Sequence, residues 1–159
     1  MFRADIFHKW ALIDMTEPLD IPDDPGRVGV IAVCVRDGQM LVIRRSRHVV
    51  APLVYCYPGG GIEPAESQTD ALIRECHEEL GVTVRPIRQV WQSVTSWKVS
   101  LTWWTVELAD GQPLRPNPEE VESVHWMTPE EMAALPDLLP NNREFLELVR
   151  SGEIRLEEG

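Results

Sequence analysis

The chain has 159 residues, a length typical of one domain, and its 26 acidic against 15 basic residues give a net charge of −11. Because phosphate groups repel so acidic a surface, the composition argues against binding to a nucleic-acid duplex or to an anionic membrane. A small phosphorylated ligand remains compatible with this charge where a cation bridges it to the protein. Hydrophobic residues make up 43% of the chain, as in ordinary folded domains, so we predict a single domain over residues 1–159.

Cysteine usage and the lack of a targeting pattern predict a reducing, cytoplasmic location. The three cysteines, at positions 34, 56 and 76, form no C-x-x-C pair and indicate neither a zinc knuckle nor a disulfide framework. Residues 1–9 mix charged and apolar side chains, unlike a signal peptide. The longest uncharged apolar stretch, 28–35, is too short to span a bilayer.

The N-terminal part of the chain is predicted to lead into a β-hairpin. Residues 1–26 form a short element followed by a loop rich in Pro and Asp, and Trp10 in that element is a candidate contact for a homodimer. Apolar β-branched residues at 28–35 predict a buried strand. The dipeptide Asp37-Gly38 predicts a hairpin turn into a return strand at 40–44.

The remainder of the chain predicts a central helix between groups of strands. The glycine-rich sequence at 58–61 indicates a loop, and 64–80 a helix that ends before a glycine. Residues 83–108 are rich in Val, Thr and Trp and predict two or three strands. Helices are expected from the N-cap Thr128 and over 142–150. This order of elements is typical of a mixed α/β fold.

One face of the central helix is predicted to be strongly acidic. Glu75, Glu78 and Glu79 are three or four residues apart and therefore share a face. Such like charges destabilise an isolated helix, but clustered carboxylates are the hard oxygen ligands that Mg²⁺ or Mn²⁺ prefers. The preceding glycines allow the backbone to approach a ligand closely. Taken alone, the three glutamates are more typical of a solvated helix face than of a metal site.

The spacing of residues around this helix resembles the Nudix box. In residues 60–82, a glycine is followed by five residues, a glutamate, seven residues and then Arg-Glu-x-x-Glu-Glu-x-Gly-aliphatic. The matching residues are Gly60, Glu66, Arg74, Glu75, Glu78, Glu79, Gly81 and Val82. Cys76 stands where the family prefers Leu, Ile or Val, and this departure is expected to affect packing more than chemistry.

The resemblance implies a Nudix α/β/α sandwich, with a mixed β-sheet between helices, and a pyrophosphohydrolase. The expected reaction is the Mg²⁺- or Mn²⁺-dependent cleavage of a phosphoanhydride bond in a nucleoside diphosphate linked to another group. Nucleoside triphosphates and nucleotide sugars are such substrates, with a MutT-like action on the former as the default. The alternative is a nucleotide-binding regulatory module that has the fold without the chemistry.

The resemblance also implies roles for individual residues. The metal-binding set is Gly59 through its carbonyl group, Glu66, Glu75, Glu78 and Glu79. Arg74 is implied to orient a glutamate by paired hydrogen bonds, with Glu66 as its partner or as an outer contact of the metal. The catalytic set is Arg74, Glu75, Glu78 and Glu120. The general base is either Glu75 or a loop acid, for which Glu119, Glu120 and Glu122 are the candidates.

A second group of residues has both a functional and a structural interpretation. Arg44, Arg45 and Arg47 are candidates for binding a substrate phosphate, or charges that protect a sheet edge. Trp97, Trp103 and Trp104 are candidates for stacking on a base or for core packing. Tyr57 is expected to pack under the glycine-rich loop and Trp126 in the core, both without a catalytic role.

Overall fold

The computed structural model describes residues 23–156, so the N-terminal element with Trp10 lies outside the described residues. This range contains strands and helices in mixed order. They are β1 (Val28–Val33), β2 (Val35–Arg36), β3 (Gln39–Arg45), β4 (Tyr55–Cys56), β5 (Gly59–Gly61), α1 (Gln68–Leu80), β6 (Val84–Val94), β7 (Ser100–Leu108), β8 (Val121–Met127), α2 (Pro129–Ala133) and α3 (Pro140–Arg150).

The strands form two sheets. The first has the order β5-β1-β7-β6, in which β1 and β7 are parallel and the other pairs antiparallel. In the second, all pairs are antiparallel, with β8 along one edge of β3 and with β2 and β4 at opposite ends of its other edge. The predicted mixed sheet is confirmed, and residues 83–108 form two strands, β6 and β7.

The predicted strand at 28–35 is divided between the two sheets. β1 ends at Val33 and pairs with β5 and β7, whereas β2 begins at Val35 and pairs with β3. The predicted hairpin turn at Asp37-Gly38 is confirmed, with φ angles of 52° and 76° that suit the two central residues of a type I′ turn. An uninterrupted apolar run cannot reveal such a change of sheet, because Val35 of β2 is apolar like the residues of β1, although it is only half-buried.

Helices cover both faces of the strands, which gives the predicted α/β/α sandwich. On one side, the buried face of α1 includes Leu72, Cys76 and Leu80 and packs in a core with residues from β1, β3 and β7. On the other side, Phe145 of α3 stacks on Trp103 of β7 with ring centroids 4.5 Å apart. No helix in residues 23–156 is long and apolar enough to cross a membrane.

The helix α1 begins four residues later than predicted. Its N-cap is Ser67, whose hydroxyl oxygen accepts a hydrogen bond from the backbone N–H of Asp70 at 3.1 Å. Pro64 lies instead in a turn, in which Glu66 accepts a hydrogen bond from the N–H of Glu63 and Ala65 has φ of 64°. Proline suits the first turn of a helix, but the hydroxyl cap downstream determines the start here.

The left-handed conformation of Ala65 leads to a prediction about stability. A side chain in this region of φ costs about 1–2 kcal/mol, which glycine avoids. We therefore expect Ala65→Gly to raise the free energy of unfolding, by about 1 kcal/mol after allowance for the greater freedom of unfolded glycine. Urea denaturation monitored by tryptophan fluorescence measures this difference.

The matched control is Ala134→Gly. Ala134 is also exposed but has an ordinary helical φ of −79°, so glycine should lower stability at this position by about 0.5–1 kcal/mol. A loss of stability at both positions would contradict the expected relief of strain at position 65.

The other helix ends agree closely with the sequence. Thr128 caps α2 by accepting a hydrogen bond from the N–H of Glu131 at 3.2 Å, as predicted. The last helix begins at Pro140, two residues before the predicted start. Both helices carry a proline in their first turn, where its missing N–H has no intrahelical partner to lose.

The thiols of Cys34, Cys56 and Cys76 are all buried. Burial raises the pKa of the Cys76 thiol, and the neighbouring carboxylates of Glu79 and Glu75 act in the same direction. The pKa of Cys34 is also raised, mainly by burial. At neutral pH the protonated thiols therefore act as small apolar groups in the core, as predicted for the residue at position 76.

Candidate active site

The glycine-rich segment is an edge strand rather than the predicted loop. β5 pairs with β1 in antiparallel register, Gly60 opposite Val30, and this places it against the acidic side of α1. A Cβ atom added to Gly60 would lie 2.5 Å from the carboxylate carbon of Glu75. Glycine at this position therefore permits the backbone of the strand to contact the glutamate directly.

The three helix glutamates differ in their surroundings. Glu75 and Glu79 are buried, with 0% and 2% of their surface exposed, whereas the side chain of Glu78 is 33% exposed. The N–H of Gly59 donates a hydrogen bond to Glu79 Oε1 at 2.9 Å. The predicted acidic face thus has two carboxylates directed into the junction with β5 and a third that reaches solvent.

Arg74 connects the helix glutamates to the turn before α1. Its Nε and Nη2 atoms donate to the two carboxylate oxygens of Glu66 at 2.7 and 2.8 Å, and Nη2 also donates to the carbonyl oxygen of Gly61. Its Nη1 atom lies 3.0 Å from an oxygen of Glu75 and 3.3 Å from both oxygens of Glu78. These are the paired hydrogen bonds that the sequence resemblance implies for the arginine.

These contacts shift the ionisation of both partners. The hydrogen bond to Glu66 raises the pKa of Arg74, and the charges of Glu75 and Glu78 add to this effect. The same hydrogen bond lowers the pKa of the Glu66 carboxyl group. Arg74 and Glu66 therefore stay ionised together at neutral pH.

The carboxylates have suitable chemistry for a divalent cation but are not arranged as a closed ligand group. Within residues 23–156, no three His, Cys, Asp or Glu side chains converge as ready metal ligands. The geometry explains this, because Arg74 Nη1 bridges Glu75 and Glu78 while Glu79 is bonded to Gly59. Carboxylate and carbonyl oxygens are nevertheless the donors that Mg²⁺ and Mn²⁺ prefer, so these residues fit such an ion.

The loop with the candidate base is attached to the end of α1. The N–H of Asn117 donates to the carbonyl oxygen of Glu79 at 2.9 Å, and Asn117 accepts in turn from the N–H of Glu120. Glu119 and Glu122 are exposed, whereas Glu120 is half-buried and its Oε2 atom has less than 1 Å² of accessible surface. Burial thus distinguishes Glu120 from Glu119 and Glu122, the two other candidate acids.

The three candidate phosphate-binding arginines follow one another at the end of β3 and after it. Arg44 Nε donates to the carbonyl oxygen of Leu53 at 3.1 Å, and Arg45 Nε donates to that of Val50 at 2.8 Å. Arg47 is 65% exposed and pairs with Glu122 at 3.4 Å. Arg44 and Arg45 therefore stabilise the loop at 46–54, and a role of the three arginines toward substrate remains a prediction.

The aromatic residues divide between the core and the margin of the acidic site. Trp103 is fully buried, whereas Trp104 is half-buried and its Nε1 donates to the side chain of Gln68 at the start of α1. Tyr57 is buried against Trp103, as expected for a structural residue. Trp97 is half-buried beside the core that faces α3. Alternation along β7 thus directs one of its two adjacent tryptophans into the core, as the sequence predicts.

Two residues with a central position in this region were not predicted from the sequence. Ser46 is fully buried beside residues 117–120, here called the acidic loop, and Asn117 links that loop to α1. The Pro-Asn-Pro sequence at 116–118 signals a turn. It gives no sign of the long-range contacts that the turn makes.

The comparison with known families agrees with the geometry of the site. A family model described as the NUDIX domain matches residues 25–149. The chain belongs to the Nudix family. The predicted membership, the Nudix fold and the assignment as a hydrolase are therefore confirmed, and the Nudix box corresponds to β5, the turn after it and α1.

Individual Nudix relatives match over different shares of their length. The NAD-capped RNA hydrolase NudC of Chromobacterium violaceum is 33% identical over 104 residues, which are 65% of this chain and 39% of that protein. The RNA pyrophosphohydrolase of Photorhabdus laumondii subsp. laumondii is 34% identical over 125 residues, 69% of this chain and 68% of that protein. The chain spans less than half the length of the NudC relatives that it matches.

A solved Nudix structure shows the same fold. The MutT NUDIX hydrolase from Burkholderia pseudomallei superimposes with a TM-score of 0.64 at 26% sequence identity, covering 80% of this chain and 99% of that chain. Nearly the whole of that smaller Nudix protein therefore has a counterpart here.

Proposed function

We propose that this Nudix hydrolase cleaves a phosphoanhydride bond in a nucleoside diphosphate linked to another group, with bound Mg²⁺ or Mn²⁺. The observation that carries the proposal is the contact of β5 with the acidic face of α1, through Gly60 and Glu75. Nucleoside triphosphates and nucleotide sugars are the first candidate substrates. The names of the curated relatives, NAD-capped RNA hydrolase and RNA pyrophosphohydrolase, add nucleotide pyrophosphates joined to RNA.

The metal-binding residues in this proposal are Glu75, Glu78, Glu79 and the carbonyl group of Gly59, with Glu66 outside them. When bound, the divalent cation neutralises phosphate charge and lowers the pKa of a water molecule. Arg74 keeps the turn before α1 attached to the helix through Glu66 and Gly61, and directs Glu75 and Glu78 through Nη1. The acidic surface thereby accepts a polyanionic substrate only together with the cation.

Within this proposal, Glu120 accepts the proton of the attacking water. The alternative base, Glu75, is fully buried, hydrogen-bonded to Arg74 and in contact with β5, which favours a fixed role as a ligand. Glu120 lies instead on a loop that is bonded to the backbone of α1 at Glu79 through Asn117. A base on a separate element can accept the proton of the water while Glu75 remains a ligand of the cation.

A panel of nucleotides tests the proposed function. Nucleoside triphosphates, nucleotide sugars, NAD and a short 5′-triphosphorylated RNA are incubated with the protein and Mg²⁺, and the products are identified by mass spectrometry. We expect phosphoanhydride cleavage of at least one class, and loss of the reaction in EDTA.

The same panel tests the regulatory-module alternative. That alternative is favoured by the bridge of Arg74 Nη1 between Glu75 and Glu78, which stabilises the acidic face without a metal ion. Nucleotide binding by calorimetry without turnover of any member of the panel would contradict the proposed hydrolysis and support the module.

A further inference from the structure

Ser46 lies at the junction between the end of β3 and the acidic loop. It is fully buried, and its Oγ donates a hydrogen bond to the carbonyl oxygen of Glu119 at 2.7 Å. Its backbone N–H donates to the carbonyl oxygen of Glu120 at 3.0 Å. One residue thus holds two successive peptide groups of a segment more than 70 positions away in the sequence.

The segment that carries Ser46 is itself well supported. The hydroxyl group of Ser46 accepts a hydrogen bond from the N–H of His48 at 3.1 Å, which closes the turn after β3. Arg45 Nε donates to the carbonyl oxygen of Val50, and the N–H of Leu53 donates to the carbonyl oxygen of Arg45. Ser46 therefore contacts the acidic loop from a fixed position.

The other end of the acidic loop is fixed by Asn117. Its carbonyl oxygen accepts from the N–H groups of Glu120 and Val121 at 2.9 and 2.7 Å, and its Oδ1 accepts from the N–H of Glu119 at 3.2 Å. Its own N–H donates to Glu79 in α1. The backbone at Glu119 and Glu120 is thus held from two sides, by Ser46 after β3 and, through Asn117, by α1.

We propose that Ser46 is a positioning residue for the reaction, which fixes the location of Glu120 relative to the acidic face of α1. The inference rests on the proposed function, in which Glu120 accepts the proton of the attacking water. Without the hydroxyl group, the carbonyl oxygen of Glu119 loses this donor, and the loop retains only the bond from the Ser46 N–H to Glu120 and the bonds to Asn117 among these contacts. Displacement of a reacting group by about 1 Å can lower a rate by roughly 100-fold.

A double-mutant cycle tests this role. Ser46→Ala is expected to lower kcat about 10-fold and to change KM by less than about 2-fold, because positioning affects the reacting geometry more than substrate binding. Glu120→Gln is expected to lower kcat by about 100-fold or more, as for loss of a general base. In the Glu120→Gln background, Ser46→Ala should have no further effect, since the group that it positions no longer accepts a proton.

Thr95→Val is the matched control for loss of a buried hydroxyl group. Thr95 is 7% exposed and its Oγ1 accepts a hydrogen bond from the N–H of Val99 in the connection between β6 and β7. This variant should lose thermal stability to a similar extent as Ser46→Ala and retain the kcat of the unsubstituted protein. Ser46→Cys, which is closer to serine in size but a weaker donor, should reproduce the pattern of Ser46→Ala and replaces it if the alanine variant does not fold.

The outcomes distinguish the positioning role from the proposed function. An unchanged kcat in Ser46→Ala and Ser46→Cys, or an equal loss with and without Glu120, overturns the role of Ser46. An unchanged kcat in Glu120→Gln also overturns it, while hydrolysis by the unsubstituted protein leaves the proposed function standing. Absence of turnover in the unsubstituted protein rejects the proposed function itself.

Discussion

Glu78→Gln is expected to lower the rate of Mg²⁺-dependent hydrolysis by more than about 100-fold, since even outer partners of metal ligands contribute about 10–100-fold. The amide keeps the size of the side chain but loses the charge and one of the two anionic oxygens that a hard cation prefers. Steady-state assays on the substrate found in the panel, over a range of Mg²⁺ concentrations, measure the effect.

The fold should tolerate this substitution. The side chain of Glu78 is one-third exposed, and Arg74 retains its hydrogen bonds to Glu66 and Glu75. We expect the free energy of unfolding without metal to change by less than about 1 kcal/mol, since a partly exposed ion pair such as that of Glu78 with Arg74 contributes about 0–1 kcal/mol. Glu130→Gln, at an exposed glutamate of α2, is the control for loss of one negative charge. A near-normal rate in Glu78→Gln would contradict the proposed ligand role.

Gly60→Ala is expected to abolish most of the activity through its effect on Glu75. The added methyl group would come within 2.5–2.6 Å of the carboxylate carbon and both carboxylate oxygens, so the carboxylate must move. Because Glu75 is fully buried, it has little space to do so, and overpacking of this kind costs about 1–3 kcal/mol of stability. A rate loss of about 100-fold follows if the displaced carboxylate no longer binds the cation in place.

The neighbouring glycine provides a matched control for this experiment. A methyl group at Gly61 would lie 3.4 Å from the guanidinium group of Arg27 and 3.9 Å from the carbonyl oxygen of Val28, both ordinary contact distances. Gly61→Ala lies in the same short strand and should therefore retain most of its activity and stability. Equal losses in the two variants would show that β5 is sensitive to any side chain, and would contradict a specific role for the contact with Glu75.

Features that depend on the local repeat of a helix were predictable from the sequence. The common face of Glu75, Glu78 and Glu79 follows from their spacing, although their unequal burial depends on β5. The start of α1 was not predictable in the same way, because Pro64 and Ser67 are both helix-start signals. The helix begins after Ser67 because the chain first makes the turn at Ala65, which the hydrogen bond between Arg74 and Glu66 helps to hold.

The features that could not be predicted from the sequence depend on contacts between distant segments. The serine at position 46 contacts Glu119 across 73 residues, and no local pattern marks a buried hydroxyl group with such a partner. The passage of the chain from β1 to β2 is hidden for a related reason, since the apolar run continues without a break from β1 to Val35 of β2. Charge was more informative, because six of the acidic residues and one arginine fall within 60–82, and four of the six form ion pairs with Arg74 in the structure.

The resistance of the buried Cys76 thiol to chemical modification depends on the packing of α1 on the sheet. Only a thiolate attacks oxidants and alkylating agents, and burial keeps this group protonated while α1 packs on the sheet. Reaction at this position therefore requires a local opening that also separates the glutamates from β5. The rate at which the Cys76 thiol is modified consequently reports the free energy of that opening. The thiol resists oxidation as long as the glutamates of α1 stay packed against β5.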